Sequence, residues 1–396
     1  MLKEKIREIA RSLQDKAVAT RRHLHAHPEL SFEETQTAAF VASKLDALGI
    51  SYTRMANTGL VALLEGTKGP SGQVIALRAD MDALPITELN DVPYKSQNPG
   101  VMHACGHDVH TTSLLGVAEI LLQLRHTFAG TVKLIFQPGE ETIPGGASMM
   151  IAEGVLRNPA PARILGQHVM PELPVGKIGM RPGRYMASAD EIYIEVYGKG
   201  GHGAMPHTTI DPVIIASHMI LAFQQIVSRN ADPTMPSVLS IGKVIADGAH
   251  NVIPDKVIID GTFRTLDETW RFDAHERIRR MAKSIAESMG GSCKVDIRVG
   301  YPVLINHEEL TAEVRALTEE YMGAENVVTL PVWMAAEDFA SYSQVSDACF
   351  YRLGVGNAER GITSGLHTAT FDADEQSLEI GAGLMAWLAL RSLGAS

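Results

Sequence analysis

Four separated strings in the 396-residue sequence carry side chains able to bind a metal ion or move a proton. In His103-Ala-Cys105-Gly-His107-Asp-Val-His110, a cysteine and a histidine stand two apart on a glycine-containing loop before a helical pattern. A thiolate and an imidazole presented together suit zinc and its neighbours. Gln137-Pro-Gly-Glu140-Glu141 follows the apolar run Thr131–Phe136, which places two adjacent carboxylates at a strand end. One can ligate metal, and its neighbour, pointing the other way, can act as general base on a metal-activated water. His168 ends the run Ile164–Val169, and His367 lies in Gly365-Leu-His-Thr. Each string alone also reads as structure: a satisfied loop with a buried thiol, a solvated acidic turn, a packed histidine. Together they offer five ligands, Cys105, His107, one of the paired glutamates, His168 and His367, whereas a closed structural zinc site takes four. Two divalent ions about 3.5–4 Å apart, with a bridging ligand and an open position, account for the excess. Asp80, in Arg78-Ala-Asp80-Met-Asp82, can orient a ligand imidazole or simply cap a turn.

These strings need a scaffold that brings strand ends together. Short apolar runs at Gly59–Leu64, Val74–Ala79, Thr131–Gln137 and Ile164–Val169 alternate with helical patterns at Val109–Leu124 and Gly146–Glu153. That order predicts an α/β fold with a largely parallel or mixed sheet covered on both faces, and a site at the strands' carboxyl ends. Upstream, Leu2, Ile6, Ile9, Leu13 and Ala17 have the spacing of one amphipathic helix. Ser31 and Glu34 have capping-box spacing for a second helix, closed by Gly49. His23, His25 and His27 read as helix-end residues. Between residues 185 and 299 the pattern becomes strand, helix, strand, strand, helix, strand, a complete small α+β (βαββαβ) sandwich. The expected organisation is a catalytic domain of residues 1–184 and 300–396, interrupted by a domain of residues 185–299. Within the insertion, Gly198-Lys-Gly-Gly-His202 lacks the Lys-Ser/Thr ending of a phosphate loop, so nucleotide binding is rejected. Asn251 and Arg264 are polar groups at strand ends there. Arg264 suits a carboxylate, though from the residues alone a surface ion pair is the better explanation.

Composition narrows the function classes. A net charge of −11 argues against a nucleic-acid or anionic-membrane surface. No stretch approaches the roughly 20 apolar residues of a membrane span. The three cysteines, Cys105, Cys293 and Cys349, are an odd, sparse count that does not suggest a disulfide framework, and Cys293 and Cys349 read as buried thiols. A reducing, cytoplasmic setting is the expectation.

The motifs resemble the amidohydrolase branch of the aminoacylase and glutamate-carboxypeptidase superfamily, which includes hippurate hydrolases and indole-acetyl-amino-acid hydrolases. The resemblance runs through RRHLHAHPELSFEE, RADMDALPI, MHACGHDVH, QPGEE, HVMPELPVG, GKGGHGAMPH, HNVIPD, GTFRT, AAEDFA and LHTATFD. It implies a mixed-sheet dinuclear metallohydrolase domain with an inserted ferredoxin-like lid or dimerisation domain, hence a homodimer or higher oligomer. It implies metal ligation by Cys105, His107, Glu141, His168 and His367, with Glu140 as general base and later proton donor. His202 would reach a neighbouring subunit's site and polarise the scissile carbonyl, and Asn251 and Arg264 would hold the substrate carboxylate or the oxyanion. The implied cofactors are two divalent ions, zinc, manganese, cobalt or nickel. The implied reaction is cleavage of an N-acyl or N-aroyl amino acid to a carboxylate and a free amino acid. A dipeptidase or carboxypeptidase on the same site is the alternative, and a non-catalytic metal-binding scaffold a third reading. Two departures stand out: Arg78 occupies a position where other branches place a ligand histidine, and Thr-Ala-Thr follows His367 in place of a Ser-Pro-like turn.

Overall fold

The structure is a computed structural model that describes residues 1–69 and 71–395. The chain forms two compact units. One comprises Met1–Gly183, Ile305–Pro331 and Asp338–Ser396, and the other Arg184–Leu304 with Val332–Glu337.

The first unit is built on an eight-stranded mixed sheet. Its order is Tyr52–Met55, Gly59–Glu65, Thr131–Gln137, Val74–Asp80, Arg163–Pro174, Asp347–Gly356, Ile178–Met180 and Val327–Thr329. The four central strands, from Thr131–Gln137 to Asp347–Gly356, are mutually parallel, so their carboxyl ends share one edge. Every residue of Val74–Asp80 is buried, as expected of a strand covered on both faces. Helices His107–Gln123 and Gln376–Ser392 belong to that cover. The latter buries Leu384, Met385, Trp387, Leu388 and Leu390 together, so it is enclosed on nearly all sides.

The second unit carries the four-stranded antiparallel order Ser237–Ala246, Lys256–Thr265, Asp190–Tyr197, Ser292–Val299. Helices Pro212–Gln225 and Glu268–Ser288 pack on it, each capped by an aspartate, Asp211 and Asp267. This is the ferredoxin-like strand order that a βαββαβ sequence produces. A buried ion cluster ties its helix to its sheet: Asp190 meets Arg271 at 2.5 Å and His275 at 2.7 Å.

Several local expectations fail for physical reasons. The first amphipathic pattern is two helices, Leu2–Ser12 and Gln14–Ala26, broken at Leu13. The Ser31/Glu34 pair makes no capping box, because the helix begins at Thr35 and both side chains are drawn elsewhere. Ser31 Oγ donates to Asp82 Oδ2 at 2.6 Å, and Glu34 accepts from Thr58 Oγ1 and the Gly139 backbone. His25 does lie in the last turn of its helix, but it is also fully buried between Asp108 and Glu88. Cys349 is buried as expected, whereas Cys293 is only half-buried.

Candidate metal centre

The parallel strands' shared edge gathers the four chemical strings. The Cys105 loop leads into His107–Gln123, the glutamate pair follows Thr131–Gln137, and His168 lies on Arg163–Pro174. Gly106 has φ +80, and a Cβ there would stand 2.4 Å from Val169 Cγ2. Only glycine fits this left-handed turn against the neighbouring strand, and the turn presents the residues on either side of it. Gly139, at φ +57, is equally confined, since a Cβ would meet the Phe32 ring at 2.4 Å. His367 itself adopts φ +59, and its backbone N–H is held by Ala104 O at 2.8 Å. Such strain in a non-glycine residue is sustained only by surrounding contacts and concentrates at functional sites.

The side chains converge. Cys105 Sγ lies 3.4 Å from His168 Nε2 and 3.3 Å from His367 Nε2. Glu141 Oε1 lies 3.3 Å from His367 Nε2 and 3.9 Å from His107 Nε2. Two triads result, Cys105–His107–His168 and Cys105–Glu141–His367, each with donor atoms within 4.8 Å of one another. They share the thiol. Glu140 is buried beside them, and an oxygen of each glutamate comes within the same span of a His107 nitrogen.

The donor set fits cations. His107 Nδ1 faces Asp82 Oδ1 at 3.1 Å, and His168 Nδ1 faces Val169 O at 2.7 Å. Both rings therefore carry a proton on Nδ1 and turn Nε2 toward the cluster, where it is a ligand nitrogen once deprotonated. His107 Nε2 and Glu141 Oε1 are buried and have no hydrogen-bond partner. Electrostatics points the same way. Burial, then the charges of Glu141, Glu140 and Asp80, pushes the Cys105 thiol well above its usual range. Burial alone would lower His107, but Asp80 and Asp82 outweigh it and raise the imidazole to about 10. Burial, reinforced by Arg352, keeps His168 well below the usual imidazole range. The pocket thus has an excess of negative charge that divalent cations neutralise, releasing protons from the ligands.

Asp80 does not take the orienting role expected of it. Its Oδ1 meets His110 Nδ1 at 2.5 Å and its Oδ2 meets Arg78 Nη1 at 2.6 Å. His110 in turn accepts the Val169 N–H at 2.8 Å, so both its nitrogens are engaged and it is no free ligand. Orientation of His107 falls to Asp82, whose Oδ2 also accepts from the Glu141 backbone at 2.9 Å. Sequence reasoning passed over Asp82 and His110. The RADMD string offered a signal for Asp82, because alternate residues leaving a strand can face one cluster.

His202, Asn251 and Arg264 all lie in the second unit. His202 pairs with Val252, and the Gly203 N–H donates to Asn251 O, so these two segments are neighbours. The Ala204 N–H donates to His202 Nδ1 at 3.0 Å, which leaves the exposed ring its proton on Nε2. Arg264 is half-buried and donates to Met334 O at 3.3 Å.

The sequence model of peptidase family M20/M25/M40 matches residues 76–391. An N-acyl-L-amino acid amidohydrolase of Geobacillus stearothermophilus is 46% identical over 310 residues, 78% of this chain and 83% of the relative. Thermostable carboxypeptidase 2 of Saccharolobus solfataricus is 38% identical over 98% of both chains. Among solved structures, the Bacillus subtilis YXEP protein, described as a dinuclear metal-binding peptidase, superposes with a TM-score of 0.81. It is 33% identical and the match covers 98% of this chain and 100% of that one.

Proposed function

This chain belongs to peptidase family M20/M25/M40, and on that footing we propose that it is a metal-dependent amidohydrolase cleaving N-acyl or N-aroyl amino acids to a carboxylate and a free amino acid. One observation carries the reading: two donor triads share Cys105, with the buried carboxylate of Glu140 alongside. The amidohydrolase relative at 46% identity supports the acyl-amino-acid substrate class.

Two divalent cations held by Cys105, His107, Glu141, His168 and His367 would polarise the amide carbonyl and acidify nearby water. The chain's own groups complete the reaction. Glu140 takes the proton of the attacking water and delivers it to the leaving amine. His202, protonated at Nε2, donates to the carbonyl oxygen as charge develops there, acting at a neighbouring subunit's site in a homodimer or higher oligomer. Arg264 and Asn251 hold the substrate carboxylate or the oxyanion through charge-assisted hydrogen bonds. The mixed sulfur, nitrogen and oxygen donors accept zinc, manganese, cobalt or nickel, with availability deciding among them. The unpaired cysteines support a reducing, cytoplasmic setting. Among the described residues no helix is long and apolar enough to cross a membrane.

The test is a panel of N-acetyl-L-methionine, hippurate and simple dipeptides, assayed with each metal returned to stripped enzyme. The reading expects turnover of an acylated amino acid above that of every dipeptide. Preference for dipeptides would establish the second reading, a dipeptidase or carboxypeptidase, which the carboxypeptidase relative at 38% identity favours. Metal uptake without hydrolysis of any amide would leave the non-catalytic scaffold.

A further inference from the structure

Arg78 stands where the resemblance marked a departure, and its surroundings give it work. The guanidinium is fully buried, with a carboxylate on each side. Nη1 donates to Asp80 Oδ2 and Nη2 to Asp338 Oδ1, both at 2.6 Å, while Nε donates to Gln137 Oε1 at 3.0 Å. Asp338, 260 residues further along the chain, is gripped from other directions as well. Its side chain accepts from Gln137 Nε2 at 2.8 Å and from the Ala147 N–H at 2.9 Å. With the side chain fixed, the Asp338 backbone N–H points at Glu140 Oε1 at 3.2 Å.

The contacts join into one path. From the strand of His168, the Val169 N–H reaches His110, His110 reaches Asp80, and Asp80 reaches Arg78. Arg78 then reaches Asp338, whose N–H reaches Glu140. One end adjoins a candidate metal ligand and the other holds the candidate base. A planar guanidinium forms this link well, because its fork grips both carboxylates in fixed directions, which an ammonium cannot.

We propose that Arg78 and Asp338 are positioning residues that set the Glu140 carboxylate, through the Asp338 backbone N–H, in register with the metal-binding strand. The proposal rests on the assignment of Glu140 as base. It gives Arg78 a role in catalysis without metal ligation. A carboxylate displaced by about 1 Å loses on the order of 10²-fold in rate, so the link need hold the base only to that tolerance.

The experiment uses full-length enzyme with Arg78→Met, Arg78→Lys and Asp338→Asn, each alone and combined with Glu140→Gln. Metal content, kcat and KM for N-acetyl-L-methionine, and crystal structures are measured. The expected result is metal content and KM near wild type, with kcat down about 10²-fold in Arg78→Met. Arg78→Lys should restore part of the loss. In the Glu140→Gln background the same substitutions should change the residual rate little, because no base remains to be placed. The crystal structure of a variant should show Glu140 displaced from the Asp338 N–H with the ligand side chains unmoved. Asp338→Asn retains the backbone donor and is nearly isosteric, so it answers the question if Arg78→Met does not fold. Glu140 unmoved in a variant structure, or losses that multiply fully in the Glu140→Gln background, would overturn the proposal. Absence of turnover in metal-loaded wild type would refute the function assigned above, while the displacement of Glu140 would still be decided by the structures.

Discussion

Asp82 Oδ1 lies 3.1 Å from His107 Nδ1, which makes this carboxylate the group that fixes the ring's tautomer. The other oxygen of Asp82 accepts from the Glu141 backbone, so one residue aims two candidate ligands. Asp82→Ala is expected to weaken metal binding by about 10–100-fold. Titration against a chelator of known affinity checks this, and an unchanged affinity would remove Asp82 from the site.

Glu140→Gln should load metal as wild type does, yet lose about 10²–10⁴-fold in turnover. Metal analysis and single-turnover rates on one preparation separate the two effects. Retention of most activity would move the base elsewhere.

Cys105 is the donor common to both triads, so Cys105→Ala should lower metal stoichiometry and not merely affinity. A thiolate donor is also open to oxidation. Peroxide should then release metal from loaded enzyme, while in stripped enzyme burial and the neighbouring carboxylates keep the thiol in its unreactive protonated form. Metal retained in full through peroxide treatment contradicts a ligand role for the thiol.

His202 is exposed, and the Ala204 N–H leaves its Nε2 as donor. His202→Ala should cost about 10²–10³-fold in kcat and leave the thermal midpoint unchanged. Mixing inactive His202→Ala with inactive Glu140→Gln tests action between subunits. Recovered activity after subunit exchange is expected, and none would place the histidine within its own subunit's site.

The ion cluster of the second unit predicts acid sensitivity. Burial by itself would raise the Asp190 carboxyl, but hydrogen bonds from His275 and Arg271 hold it below the usual range. A carboxylate lowered in the folded state stabilises fully above its unfolded value of about 3.9, and this contribution fades as pH falls below that. Asp190→Asn leaves Arg271 with only the less buried carboxylate of Glu268, at 3.0 Å, and should cost about 3 kcal/mol or less near neutrality. Thermal unfolding from pH 6 to pH 3 should show the gap between wild type and variant narrowing with acid. A gap independent of pH would mean that the pairing charge is not what matters.

The sequence made the candidate ligands legible because each brings its own chemistry in a short string. Cys105 and His107 are two apart, and Glu140 and Glu141 adjoin a strand written as an unbroken apolar run. The strand ends were legible for the same reason, since continuous burial leaves a continuous pattern. The groups that aim the ligands were not. Asp338 acts through a backbone N–H on Glu140, 198 residues away, and no local pattern encodes such a pair. Ser31 and Glu34 show the opposite failure. Their spacing imitates a cap, but long-range partners at Asp82, Thr58 and Gly139 claim both side chains. His25 was legible as a helix-end residue, but its two buried carboxylate partners, Asp108 and Glu88, were not.

Helix Gln376–Ser392 is enclosed within the first unit and is synthesised after every strand of that unit's sheet. During translation, six of that sheet's eight strands emerge by residue 180, whereas Val327–Thr329, Asp347–Gly356 and the helix that completes the core follow the second unit's Arg184–Leu304 segment. The second unit is nearly contiguous, so its sandwich can close on the ribosome while the larger unit still waits with apolar surface uncovered. Chaperone demand and aggregation during expression should therefore track the time between the emergence of residue 180 and that of residue 392.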